Sequence, residues 1–93
     1  MITLQRFKAA RILSRALDIA EEALNKLTAL EGEYLQGNIN ENRARREGRP
    51  LVKTVDKYRC VAFRIHNAYS VEGEGDRYSE IFERLDYFIK FIG

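Results

Sequence analysis

The sequence predicts an all-α domain, a three-helix up-down-up bundle, and three observations predict it. Apolar residues recur at helical spacing through three long stretches, 4–36, 50–71 and 77–92. The breaks between them carry turn-forming residues, Gly37-Asn38 and the acidic run Glu72-Gly73-Glu74-Gly75-Asp76. Charge is sorted into blocks of alternating sign. Residues 1–15 hold four bases and no acid, and 16–42 hold six acids and one base. Residues 43–64 hold eight bases and two acids, and the remainder six acids and three bases. Antiparallel packing sets each block beside one of opposite sign, so the charge pattern is self-complementary in such a bundle.

The first helix begins near Thr3 as N-cap, with Ile2 and Phe7 placed to form a hydrophobic staple. Its apolar stripe runs Ala9, Ile12, Leu13, Ala16, Leu17, Ile19, Ala20, Ala23, Leu24, Leu27, Leu30 and Tyr34. Gly37-Asn38 is its stop. Residues 38–49 read as a polar connector, in which Asn40 can cap a short fourth helix over 41–47. Arg43, Arg45, Arg46 and Arg49 make this connector the one basic cluster that its sequence neighbours do not neutralise.

The middle stretch, Pro50 to Val71, is rich in β-branched and aromatic residues, which by composition suit a strand. Its period decides otherwise. At about 100° per residue, Leu51, Val55, Tyr58, Val61, Ala62, Ile65, Ala68 and Tyr69 share one arc, with Lys53, Lys57, Arg64 and Asn67 opposite. A hairpin turn at Asp56-Lys57 lacks the Gly or Asn that a tight loop needs. Pro50 fits the first turn of a helix and Gly73 fits its stop. Asp76 then caps a last helix with Tyr78, Ile81, Phe82, Leu85, Phe88, Ile89 and Ile92 on one face. Val52, Phe63, Tyr87 and Phe91 fall off these stripes, on second faces that suit an interface with another copy or a partner.

Ninety-three residues read as a single domain, 1–93, with 45% apolar and 32% charged residues, a balance that argues against disorder. A lone cysteine, Cys60, excludes an internal disulfide and fits a reducing compartment. No run approaches the roughly 18 apolar residues of a membrane span, and residues 1–13 lack the uninterrupted apolar core of a signal peptide. The expected location is therefore the cytoplasm, with no membrane partner.

Motifs for chemistry are sparse. There is no glycine-rich phosphate loop and no metal-ligand pair of His or Cys, so no cofactor or metal is expected. Cys60 and His66 lie about 240° apart on a helix and cannot form a dyad within one chain. Arg59 and His66, seven residues apart, lie about 340° apart and so on nearly the same face, with Val52 and Phe63. This arginine-to-histidine spacing resembles the signature of HEPN-fold proteins. VAFRIHNAYSV, an acidic turn and RYSEIFERLDYFIKFI look like the last two helices of their HepT-like toxin subset. The likeness is confined to the last third of the chain. It implies a metal-independent RNase site shared across a dimer, with Arg59 steadying the phosphate and His66 polarising the attacking 2′-hydroxyl. Arg64 would be a less well-spaced substitute for Arg59.

The leading expectation is a non-enzymatic interaction module, a homo-oligomer that binds a protein partner. Its binding residues would be Phe63, Tyr87 and Phe91 with Arg43, Arg45, Arg46 and Arg49. The HEPN-like RNase, or an inactive relative acting through Arg59 and His66, is the alternative. A third reading places RNA, or an anionic small molecule such as a nucleotide, on the Arg-rich connector at a subunit junction.

Overall fold

A computed structural model describes residues 2–69 and 75–92, and these form three helices and no strand: α1 (Ile2–Leu35), α2 (Glu41–Tyr69) and α3 (Gly75–Ile92). Their 34, 29 and 18 residues make α3 the short member. Gly48 of α2 lies against Leu30 of α1, while Tyr58 and Val61 line one groove with Ile12 and Ile19, so α1 and α2 are antiparallel. Arg77 reaches Asp18 and Glu21, Arg84 reaches Asn25 and Thr28, and Phe91 touches Tyr34, so α3 runs parallel to α1. The all-α, up-down-up bundle that the sequence predicts is the one that forms. No helix among the described residues is long and apolar enough to cross a membrane.

The core is a single cluster dominated by α1, where Leu13, Leu17, Leu24 and Leu27 are essentially inaccessible to solvent. Ala9, Ala16, Ala20 and Ala23 on α1, with Ala44 and Ala62 on α2, are buried as well. Small side chains at a helix contact favour close approach of the two axes. Ile81, Leu85, Phe88 and Ile92 close the cluster from α3. Because α3 starts alongside Asp18, it covers only the later half of α1. Four described residues assigned to the core face by their periodicity are left in solvent: Ile12 (54%), Ala68, Phe82 (50%) and Ile89 (46%).

Local chemistry sets the α1–α2 junction. The amide of Asn38 donates to the Glu33 carbonyl and that of Gly37 to the Tyr34 carbonyl, with Gly37 at φ 81°. This pair of bonds and a left-handed glycine form a Schellman stop, as Gly37-Asn38 leads one to expect. Asn40 then caps the next helix, its Oδ1 accepting from the Arg43 amide at 2.8 Å. The helix it caps is longer than expected. Residues 41–49 are the first turns of α2 rather than a connector or a separate fourth helix, and Pro50 lies inside α2 rather than at its start. Ala44 and Gly48 account for this, since both are buried and Gly48 lies against Leu30 and Ile92. Tertiary packing there outweighs the local cost of proline.

At the other end, α1 already includes Thr3. The staple of Ile2 on Phe7, the capping side chains of Thr3 and Asp76, the side chain of Tyr69, Val71, and the turn with Gly73 lie outside the described residues. Charge is answered less between helices than the blocks suggest. Among the described residues the ion pairs that join two helices run from Arg77, whereas Lys26–Glu22, Arg43–Glu47, Arg45–Glu41, Arg59–Asp56 and Lys90–Asp86 are pairs within one helix.

Candidate functional site

Helices α2 and α3 meet along a seam whose centre is Arg59. Its Nη2 donates to Asp56 Oδ1 at 2.9 Å, and its guanidinium carbon lies 5.5 Å from the centre of the Phe82 ring. The side chain is 22% exposed. Its Nε–H is enclosed and has no acceptor among the described residues. The bond with Asp56 outweighs partial burial and raises the arginine's affinity for its proton, so Arg59 is a permanent cation balanced by a carboxylate one turn away. One turn further along α2, Phe63 lies tilted against Tyr78 with ring centres 6.2 Å apart, yet remains 49% exposed.

His66 follows Phe63. It is exposed and makes no hydrogen bond to a described residue. Seven residues from Arg59 on a helix place it about 10 Å further along the axis, on the same face. The two side chains thus share a surface without meeting inside one chain. Arg59 Nη2 also lies 3.6 Å from Cys60 Sγ, and Cys60 is exposed.

The residues expected at an interface divide into two sets. Tyr87 is exposed but engaged, its hydroxyl donating to Glu31 and its ring meeting Phe88 edge-on at 5.2 Å. Phe91 is half-buried, edge-on to Tyr34 at 5.7 Å. Both close the α1–α3 seam. Phe63 stays open, and it is joined by Phe82 and Ile89, which the sequence reading assigned to the core. A signal for these two was present: they sit about 100–120° around α3 from Phe88, at the trailing edge of the stripe. A short third helix fills a seam with the centre of its stripe and leaves that edge uncovered.

The four arginines expected on a loop stand on regular helix. Arg43 pairs with Glu47 at 3.2 Å and Arg45 with Glu41 at 2.7 Å. Arg46 and Arg49 are exposed and form no ion pair with a described residue, so half of the cluster is locally neutralised. Among the described residues no group of His, Cys, Asp and Glu is arranged to hold a metal ion. No protein-family model, curated protein or solved structure matches the chain.

Proposed function

We propose that the protein is a non-enzymatic helical interaction module of the cytoplasm, which pairs with a second copy of itself across the α2–α3 seam and in that form engages a protein partner. The observation that carries this reading is the row of half-exposed apolar side chains Phe63, Phe82 and Ile89 along one seam. Its one buried-side cation, Arg59, is balanced by Asp56. A self-complementary, two-fold contact sets each patch against its own copy, and a locally neutral patch meets no like-charge repulsion there. The test is solution mass by light scattering, on the wild type and on Phe63→Glu and Phe82→Glu. A wild-type dimer that both substitutions dissolve supports the reading. A wild-type monomer overturns it.

A second reading draws on the placement of His66. It lies exposed just beyond Phe63, so a dimer that covers Phe63 brings Arg59 and His66 of both copies toward one junction. That is the arrangement implied by the resemblance to HEPN-fold RNases, with Arg59 holding phosphate once it leaves Asp56. Under this reading His66→Ala abolishes RNA cleavage while leaving the dimer intact, and Asp56→Ala does not. Absence of cleavage by the wild-type dimer removes it.

A further inference from the structure

The α1–α2 hairpin has two seams, and α3 fills only one. On the other lies an open groove of about 710 Å³. Its floor is apolar, with Ile12 and Ile19 from α1 and Tyr58 and Val61 from α2. Its α1 rim is basic: Lys8, Arg11 and Arg15 line it, are exposed, and form no ion pair with a described residue. The single carboxylate on that rim, Asp18, is held by Arg77 at 2.6 Å. On the α2 side, the Lys57 Nζ stands 5.6 Å from the centre of the Tyr58 ring. An apolar trough with a cationic α1 edge is thus left without a free counter-charge among the described residues that line it.

The filled seam displays how this hairpin takes up a helix. α3 inserts Ile81, Leu85, Phe88 and Ile92, spaced i, i+4, i+7 and i+11, while its polar edge pairs with α1 through Arg77 and Arg84. There the bundle offers acidic and amide side chains and receives arginines. Across α1 the polarity is reversed. We propose that the open α1–α2 groove receives an amphipathic helix of another polypeptide, with an apolar stripe at helical spacing and glutamate or aspartate along its edges. Lys8 to Ile19 spans about 17 Å, or three turns, which sets the length of the contact. This is the helix-in-groove mode, with charge complementarity selecting the partner. The groove is a different surface from the α2–α3 seam, and either can fail without the other.

The probe is a fluorescently labelled peptide of roughly 20 residues, long enough to be helical, with leucines at helical spacing and flanking glutamates. A matched peptide carries lysines instead. Anisotropy titration against the full chain should give micromolar binding of the glutamate peptide and at least about tenfold weaker binding of the lysine peptide, about 1.4 kcal/mol. The double substitution Arg11→Glu and Arg15→Glu should reverse that preference. Ile12→Asp should weaken both peptides. These side chains are exposed, so the variants should keep the wild-type circular dichroism and melting temperature. Repeating the titration on Phe63→Glu separates this groove from the seam, since the preference should persist there. Equal affinity for the two peptides, no binding of either, or an unchanged preference in the double variant overturns the proposal. So does tighter binding of anionic phospholipid vesicles or single-stranded oligonucleotide than of the glutamate peptide. A wild-type self-association abolished by Ile12→Asp likewise overturns it, because a second copy would then occupy the groove.

Discussion

Tyr87 and Glu31 carry a contact that can be read out one proton at a time. The phenol donates to the carboxylate, and that bond is the main reason its proton is held more tightly than in free tyrosine. The sign follows from which form the contact favours. A folded-state value raised above the ordinary value of about 10 means that the neutral phenol stabilises the fold. That contribution is fully present below the ordinary value and fades as pH rises through the raised one. Spectrophotometric titration of the five tyrosines should therefore contain a component ionising above the ordinary range, absent in Tyr87→Phe. A difference between the two curves that lies wholly in the ordinary range would rule the contact out. At this scale much was legible in advance, because capping and stopping are local. Asn40 and Gly37 act on amides within a few residues of themselves. The partner of Arg59 in its own helix, Asp56, is likewise three residues away. Its stacking on Phe82 is not legible, since it depends on where a different helix lies.

Helix α2 is the element at which local and tertiary preference disagree. Proline inside a helix removes one backbone donor and crowds the preceding turn, at a cost of about 3 kcal/mol. The sequence therefore reads as if a helix starts at Pro50, whereas α2 has run through nine residues before it. The two placements predict opposite effects of Pro50→Ala. At a helix start the change is neutral or mildly destabilising, since proline's fixed φ is lost. Inside α2 it restores a bond to the Arg46 carbonyl, and the variant should gain about 2 kcal/mol in urea unfolding. Gly48 exposes the other half of the trade. A methyl group there would stand 2.4 Å from Ile92 Cδ1 and 3.4 Å from Leu30 Cδ2. Alanine's advantage in a helix, about 1 kcal/mol, is thus cancelled by crowding in the wild type and should emerge in an Ile92→Ala background. A double-mutant cycle should give a coupling of about 1 kcal/mol between the two positions, and strict additivity would refute the close approach.

Across the whole molecule, α3 is held by its apolar stripe and by Arg77, whose Nε and Nη2 reach Glu21 at 2.8 Å and Asp18 at 2.6 Å. The arginine side chain is 30% exposed, so solvent screens the pairs, and Arg77→Ala should cost about 1 kcal/mol. That difference should shrink in 1 M salt, and a salt-independent loss would assign the effect to packing instead. The candidate site is a product of this scale and was only partly legible. Periodicity places Phe63 on an outer face without further help. It places Ile12, Phe82 and Ile89 at the edges of their stripes, and which edge stays open is decided by where the neighbouring helices lie. The two long helices, of 34 and 29 residues, give the chain its outline, 54 × 19 × 17 Å, with a radius of gyration of 15.2 Å. A compact chain of this size would have about 12 Å. Small-angle scattering of a single chain should accordingly return a value near 15 Å. A rod of these proportions also drags more solvent than a sphere of equal mass. On a gel-filtration column calibrated with globular standards one copy would elute early and be counted as more than one, so the stoichiometry of this protein has to be weighed rather than timed.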